Sequence, residues 1–424
     1  MENNIGHICH NKVTKKHITG VFIGTFVQWY DFSIFGSLAI IISSTFFSQN
    51  GQYNKLINFF LVFSVSFALA PLGAFFLGLV GDRYGRKKVL LITLIALAIP
   101  TFIIGILPSY SVIGILATIL LVSCRLLQGF FSGVEFTSSA IYLVEISSYA
   151  NKNFMGCLTS ISYSFGSLVG ALMAAICTME IFPNWFWRIP FVLSFMGIAV
   201  AYCIRRQLPE TVIFSRIKEK KKGINPIKLA LKYDFQAMII TFLLSSTAGI
   251  LAYGTFVWLI SYLNSTCKFT ISISIGIAIV AMITDATLEP IIAKYIDMTS
   301  LDSKKISLYG LFLLSILAYP LFACFSLANI TLAFFCAFIF GTLIALICAP
   351  INTLMVLSYK PENRCSGFGI SFNLGISILG GSAPLVLTFL SVHFGILYVS
   401  MYYILACIMG IVALNLIVVN DYGA

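Results

Sequence analysis

Charged and amide side chains occur inside long apolar runs of this 424-residue chain. Asp31 lies about 13 residues into the first run, which at 1.5 Å per residue is close to the middle of a bilayer. In the fourth run Arg125, Gln128, Ser132 and Glu135 are spaced i, i+3, i+7 and i+10, an arc of about 80° on one helix face. Ionisable residues at such depth usually face a cavity or a partner.

These residue types could bind a carboxylate and carry a proton. A buried Arg can hold a carboxylate by two parallel hydrogen bonds, and a carboxyl group in an apolar site can load and release a proton. We therefore predict that Arg125 binds a substrate carboxylate and that Asp31 or Glu135 carries a proton, with Gln128 in the same site. The alternative is a structural ion pair between Arg125 and one of these carboxylates, which would still be functional if it opened.

A second pair of carboxyl groups lies in the eighth run. Asp285 and Glu289 are four residues apart, directly before Pro290, and therefore share a helix face towards the cytoplasmic end. They could relay a proton or stabilise a closed gate. Snorkelling of both side chains to the membrane interface is the alternative.

The neighbours of Asp31 are polar and aromatic. Gln28, Trp29 and Tyr30 precede it directly, and the two rings could form an aromatic wall for a quaternary ammonium group. For either ring alone, packing in the core or at the interface is the stronger expectation.

The composition indicates that the chain folds in a membrane. Hydrophobic residues make up 59% of the chain and charged residues only 10%, with a mean hydropathy of +0.99, whereas soluble domains carry roughly 25% charged residues. About 20 apolar residues span a bilayer, and backbone groups there must be satisfied within the segment. The runs lack the alternation of a β-barrel, so the sequence predicts an all-α membrane protein.

Twelve apolar runs are predicted to be transmembrane helices, and a polar stretch divides them into two bundles of six. The runs are 18–47, 57–80, 89–107, 113–145, 153–180, 188–205, 236–263, 270–293, 306–326, 330–357, 365–391 and 395–419. The predicted domains are an N-terminal tail (1–17), a first bundle (18–205), a central loop (206–235), a second bundle (236–419) and a short tail (420–424).

The basic residues predict the orientation. With the N-terminus inside, 22 of the 26 Lys and Arg residues fall on the cytoplasmic side, nine of them counted with the central loop. This is the positive-inside pattern, so both tails are predicted to be cytoplasmic. Because the basic residues lie in short loops between apolar runs, the net charge of +11 does not indicate nucleic acid. Residues 1–17 are polar and followed by an overlong run, so no signal peptide is expected.

No cofactor, metal or enzyme chemistry is predicted. The 11 cysteines are scattered singly without CxxC spacing, as expected of small buried hydrophobes. His7, His10 and His17 could hold a metal, but no second ligand cluster supports this, and we expect a solvated tail. A nucleophile, a metal cluster and a phosphate cradle are not recognisable. The expected partners are a small-molecule substrate, protons and lipids, without an obligate protein partner.

The loop after the second run combines glycines with charges. Glycine permits tight turns, and an aspartate can accept hydrogen bonds at a helix N-terminus and compensate its dipole. A charged latch of this kind can form in one conformation and break in another. The residues match the major facilitator signature G-x-x-x-D-R-x-G-R-K at Gly78, Asp82, Arg83, Gly85, Arg86 and Lys87.

A weaker copy follows the eighth run. Ala293–Asp297 has the aspartate but lacks the Arg and Gly of the first copy. Paired halves of this kind are the architecture of major facilitator transporters. The eroded copy predicts an asymmetric gate, in which Asp82 matters far more than Asp297.

Further motifs resemble one branch of that superfamily, the metabolite:proton symporters that include proline/betaine, α-ketoglutarate, citrate and shikimate permeases. They are Trp29–Phe32, Arg125–Gly129, Gly133–Glu135, Trp187–Pro190, Arg206–Thr211, Asn373, Gly380, Gly381 and Pro384. The resemblance implies proton-coupled uptake of a small polar metabolite across the cell inner membrane, and it adds Asn373 to the candidate binding residues. Gln28 departs from it, because these permeases usually carry a glutamate there.

The resemblance favours a zwitterion such as proline or glycine betaine as the substrate. An Arg with carboxylates would also suit a dicarboxylate or tricarboxylate, so an α-ketoglutarate or citrate symporter is the alternative. A transceptor that binds without transporting is a third reading, which the short central loop disfavours.

Overall fold

The computed structural model describes residues 15–47, 52–177, 179, 181–183, 185–211, 213–215, 226–299 and 301–418. The possible metal ligands His7 and His10, the predicted tail 420–424 and the basic stretch 216–223 of the central loop lie outside the described residues.

Twelve main helices form in the order that the apolar runs predict. In the first half they are α1 (Lys15–Ser37), α2 (Gln52–Tyr84), α3 (Arg86–Ile106), α4 (Ile115–Ile146), α5 (Lys152–Cys177) and α6 (Ile189–Arg206). In the second half they are α7 (Phe235–Ser265), α8 (Ile271–Thr299), α9 (Ser303–Ser326), α10 (Ile330–Leu357), α11 (Arg364–His393) and α12 (Ile396–Leu416).

Eleven stretches of the described chain, one in each helix from α2 to α12, are long and apolar enough to cross a membrane. The first run is not continuous: α1 ends at Ser37, and a short helix, Ala39–Phe46, follows. The fourth predicted run is interrupted too, because Gly114 has φ +59° between the short helix Tyr110–Ile113 and α4. Only glycine adopts this left-handed backbone without strain.

Close helix packing sets the rotation of α4. A Cβ atom at Gly129 would overlap the carbonyl oxygen of Ser66, and one at Gly133 would overlap that of Ala70. These glycines are four residues apart, the small-xxx-small spacing that lets membrane helices approach closely. With this face against α2, the polar face of α4 points to the other helices of the first half.

The two halves meet most closely at one end of the bundle, which we call the basic end. It is the end formed by the loops after α2, α8 and α10, whose basic residues include Arg86, Lys304 and Lys360. Gly78 of α2 packs there so tightly that a Cβ atom would lie 3.0 Å from the Cα of Ser366. The end of α2 is thus pressed against the start of α11.

Candidate functional site

A cavity of about 110 Å³ lies between the two halves. Its wall is mostly apolar, with a few hydroxyl, amide and carboxyl groups, as in many small-molecule sites. Residues of α1, α4 and α5 face residues of α7, α8, α10 and α11 across it, including Trp29, Phe136, Ser160, Tyr163, Ser164, Tyr253, Phe256, Asp285, Glu289, Asn352 and Phe372. Both halves therefore supply the lining, as alternating access between them requires.

The carboxyl pair of α8 supplies the charge of this cavity. The exposed fraction of Asp285 is 5% and that of Glu289 is 0%, so the snorkelling alternative is wrong. The hydroxyl groups of Ser164 and Ser160 on α5 interact with Asp285 and Glu289 respectively. Two carboxylates one helical turn apart repel each other in an apolar cavity, and the repulsion is relieved when the pair shares a proton.

Aromatic rings form another part of the cavity wall. The rings of Trp29 and Tyr163 meet edge to face with centroids 4.4 Å apart, and Tyr253 and Phe256 line the wall from α7. The indole Nε1 of Trp29 is buried and finds no acceptor among the described residues. Trp29 thus forms part of an aromatic wall, as predicted. Tyr30 instead packs in an apolar cluster with Ile34 and does not line the cavity.

Arg125 and Asp31 belong to a buried polar cluster of the first half. Arg125 Nη1 donates to Gln128 Oε1 at 2.8 Å, and Gln128 Nε2 donates to Asp31 Oδ2 at 2.7 Å and to Thr101 Oγ1 at 2.8 Å. The guanidinium of Arg125 also lies 3.6 Å from the ring centroid of Phe35. The structure brings together the three residues predicted from α1 and α4, and it adds Thr101 of α3.

This cluster is separated from the cavity by Phe32. The guanidinium of Arg125 lies 4.7 Å from the centroid of the Phe32 ring, and this ring in turn lies 5.7 Å from that of Trp29, which lines the cavity. Arg125 itself is fully buried and is not part of the cavity wall. In this conformation it therefore contacts the polar cluster and cannot reach a molecule in the cavity without movement of Phe32.

Glu135 has a different partner from the one predicted. Its Oε1 forms an ion pair with Arg205 Nη2 of α6 at 2.5 Å, and Oε2 accepts from Thr93 Oγ1 at 2.6 Å. Arg205 also donates to the carbonyl oxygens of Gly20, Leu90 and Val21. The idea that Glu135 pairs with Arg125 is therefore wrong, because ten residues along α4 separate the two by about 15 Å.

Two further candidates from the sequence also bind backbone groups instead of lining the cavity. Gln28 Nε2 donates to the carbonyl oxygen of Ser132 at 3.4 Å. Asn373 Nδ2 donates to the carbonyl oxygens of Gly369, at 2.8 Å, and of Gly133. Asn373 thus links α11 to α4 across the two halves, which is a contact that movement of the halves would break.

The loop signature closes the basic end. Asp82 accepts hydrogen bonds from the backbone N–H groups of Cys365 at 3.0 Å and Ser366 at 2.8 Å. These groups belong to the first turn of α11, where backbone donors lack intrahelical acceptors and the helix dipole is positive. Asp82 of the first half therefore caps a helix of the second half.

The second copy of the loop, in the second half, caps a helix of the first half. Asp297 accepts from the backbone N–H groups of Asn153 at 3.1 Å and Phe154 at 2.9 Å, and from Asn153 Nδ2 at 2.9 Å. An aspartate at the end of α8 thus caps α5 of the first half. The predicted asymmetry is not visible in these hydrogen bonds, since the eroded copy keeps a complete cap.

A buried carboxylate that the sequence did not single out joins the two halves between these caps. Glu145 Oε1 lies 3.3 Å from Arg86 Nη2 of α3 and 3.1 Å from Arg364 Nη1 of α11, while Oε2 accepts from Thr211 Oγ1 at 2.6 Å. Arg86 also donates to the carbonyl oxygen of Pro361 at 2.6 Å. Glu145 therefore holds two fully buried arginines, one from each half.

The remaining signature residues support this contact or lie outside it. Gly85 has φ +111°, and Glu210 Oε1 accepts from the following backbone N–H groups of Arg86 at 3.0 Å and Lys87 at 3.4 Å. Burial raises the pKa of Glu210 above its usual range. Arg83 is exposed and takes no part in the closed contact.

Comparisons with known proteins identify the family. The sequence profile of the family "Sugar (and other) transporter" matches residues 17–226. A proposed proline/betaine transporter of Staphylococcus haemolyticus is 30% identical over 97% of this chain and 89% of that protein. This chain belongs to the major facilitator superfamily. Its relatives include further proteins named proline/betaine transporter, such as the Escherichia coli K12 protein, which is 28% identical over 86% of this chain and 76% of its own.

Solved structures of the superfamily share the fold. The proton:xylose symporter bound to 6-bromo-6-deoxy-D-glucose superposes with a TM-score of 0.71, covering 94% of each chain at 14% identity. A human organic anion transporter superposes with a TM-score of 0.68 at 15% identity, covering 94% of this chain and 99% of its own. The chain is thus a multi-pass membrane transporter with the twelve-helix fold, not an enzyme.

Two site features were missed, for different reasons. Arg205 closes an apolar run and was counted with the central loop, although its exposed fraction is 0%. Glu145 ends the fourth run, ten residues after Glu135, and lies about 160° around α4 from Arg125, outside the predicted polar arc. The signal that could have found it is a carboxylate at the end of an apolar run.

Proposed function

We propose that this transporter takes up a small zwitterionic metabolite, such as proline or glycine betaine, together with protons by alternating access. The observation that carries the proposal is the cavity between the halves, with its aromatic and carboxyl groups, in a relative of proline/betaine transporters. The closed basic end, held by Asp82, Asp297 and Glu145, provides the gate that alternation needs.

The proposed location is the cell inner membrane, with the basic end and both termini in the cytoplasm. The distribution of Lys and Arg supports this orientation. The proposed partners are the substrate, protons and membrane lipids, with the proton as coupling ion and neither a cofactor, a nucleic acid nor an obligate protein partner.

The polar cluster of α1, α3 and α4 is the proposed proton site of the first half. While Asp31 is ionised, it accepts from Gln128, whose oxygen accepts from Arg125. A proton on Asp31 removes the charge that holds this chain of hydrogen bonds in place, which allows the guanidinium of Arg125 to shift against the rings of Phe32 and Phe35. Loading of Asp31 thus changes the contacts behind Phe32, next to the cavity wall.

The di- and tricarboxylate alternative receives less support from the cavity. Among the described residues that line it there is no Lys, Arg or His, and an anionic substrate would meet Asp285 and Glu289 without a compensating base. A zwitterion can place its ammonium group near these carboxyls.

Uptake into proteoliposomes tests the proposal. Labelled proline, glycine betaine, α-ketoglutarate, citrate and shikimate are offered with and without an imposed proton gradient. We expect gradient-driven accumulation of proline or glycine betaine, and its loss in Asp31→Asn. The matched control is Asp302→Asn, because Asp302 only caps α9 of its own half and asparagine is an equally good cap. Equal uptake without a gradient would rule out symport.

A further inference from the structure

Glu289 is a buried carboxyl group that forms no ion pair with a base among the described residues. Its exposed fraction is 0%, it lines the cavity, and both of its oxygens lack a well-formed hydrogen bond to any part of the chain that the structure describes. Asp285 Oδ1, one turn away, is in the same state. Charged groups at such sites need a partner of opposite charge or a proton.

Neither neighbouring helix supplies that charge. The described side chains of α5 and α10 that face the pair include the hydroxyl, amide and thiol groups of Ser160, Ser164, Asn352 and Cys348, and none of them is a base. Asn352 donates to Ser160 Oγ at 2.8 Å and to Thr159 Oγ1 at 3.3 Å, so its amide is already occupied by α5. No described residue that faces the pair is a base, so its charge is balanced by a proton or by a cation from outside the described chain.

The aromatic lining of the cavity suits an organic cation better than a metal ion. Trp29, Tyr163 and Tyr253 line the same cavity as the pair, and aromatic rings attract ammonium groups, Trp most strongly. A hard metal cation prefers several oxygen ligands, whereas the lining is dominated by apolar and aromatic groups.

We propose that Asp285 and Glu289, with the rings of Trp29 and Tyr163, form a binding site for the ammonium group of the substrate. The site recognises a quaternary or substituted ammonium ion and does not require a carboxylate on the same molecule. An organic cation such as choline is therefore a ligand at least as good as the zwitterion glycine betaine. The proposal rests on the proposed function only in taking this cavity as the substrate site.

Charge balance predicts competition between this cation and protons. Each proton that the pair takes up lowers the negative charge that attracts the ammonium group, so binding weakens as the pH falls. The other titratable groups that face the pair are Cys157 and Tyr163 of α5, Tyr253 of α7 and Cys348 of α10. All four are neutral in their protonated form, so none of them replaces the cation.

Equilibrium binding of radiolabelled choline to the purified full-length protein in detergent tests the site. We expect saturable binding that glycine betaine displaces and α-ketoglutarate does not, and an affinity that falls as the pH is lowered. Glu289→Gln and Asp285→Asn should each weaken binding by tenfold or more, while Glu289→Asp retains the charge and most of the affinity. Asp302→Asn, on the surface of the second half, should bind as the wild type does.

The possible results separate this proposal from the proposed function. If choline neither binds nor displaces glycine betaine, or if its affinity is independent of pH, the ammonium site is refuted even where glycine betaine is taken up. If choline binds as expected but neither proline nor glycine betaine is accumulated, the ammonium site stands and the proposed substrate is wrong. The wild-type competition and pH series decide the matter even if a variant does not fold.

Discussion

The two aspartate caps at the basic end should contribute about equally to closing the gate. Asp82 accepts two backbone N–H groups of α11, at 3.0 and 2.8 Å. Asp297 accepts two backbone N–H groups and one side-chain amide of α5, at 3.1, 2.9 and 2.9 Å. Both sets join the two halves, so both must break when the basic end opens.

The size of the effect follows from these bonds. A hydrogen bond to a charged group contributes about 1.5–3 kcal/mol, and a charge at a helix N-terminus adds about 0.3–1 kcal/mol. Asparagine retains one carbonyl oxygen and loses the charge. We therefore expect Asp82→Asn and Asp297→Asn each to weaken the closed state by about 2 kcal/mol, which is roughly 30-fold in the equilibrium between closed and open.

Distances between spin labels on the two halves measure this equilibrium. Arg83 of the first half and Lys305 of the second are both exposed at the basic end and can carry the labels as cysteines, with the exposed Cys203 replaced by serine. We expect a longer-distance population in each single variant and a larger one in the double variant. Asp302→Asn, whose cap lies within one half, should leave the distribution unchanged.

Two results would refute the reasoning. If Asp82→Asn opens the basic end and Asp297→Asn does not, the two caps are not equivalent and the eroded loop copy is functionally weak, as its sequence alone suggests. If neither variant shifts the distribution, the caps do not hold the gate.

Two other buried carboxylates give contrasting predictions. Glu145→Gln leaves Arg86 and Arg364 without the carboxylate that both bind, and loss of one partner of a buried ion pair costs about 3–5 kcal/mol. The spin-label distances should therefore show more opening than in either single cap variant. An unchanged distance distribution would contradict this role of Glu145. Glu135→Gln breaks the ion pair with Arg205 inside the first half. Thermal unfolding in detergent should show a loss of stability of about 3–5 kcal/mol, while the spin-label distances at the basic end stay unchanged.

The apolar runs predicted the helices well because the membrane restricts their length and composition. The bounds of α9, predicted at 306–326 and observed at Ser303–Ser326, are typical. The break after Ser37 was missed, since Ser37 and Leu38 lie in an uninterrupted apolar run and neither is a strong helix breaker.

Contacts within one helix could be predicted from spacing, whereas most contacts between helices could not. The spacing of Arg125 and Gln128 on α4 correctly placed the two side chains together. The partner of Glu135 lies 70 residues away on α6, and no local pattern connects the two positions. Periodicity shows which face of a helix is polar, but the neighbours of that face depend on how all the helices pack.

The second loop copy shows why a degraded motif can keep its function. A helix cap requires a carboxylate at the right place and free backbone N–H groups, which residues of any type supply. The Arg and Gly missing near Asp297 are not part of that requirement. What the second copy lacks is a counterpart of Arg86, which in the first copy reaches Glu145 and the carbonyl oxygen of Pro361. The structural asymmetry between the two copies therefore lies in Arg86, which pairs with Asp82 at 3.5 Å and with Glu145, while both aspartates make a helix cap of the same kind.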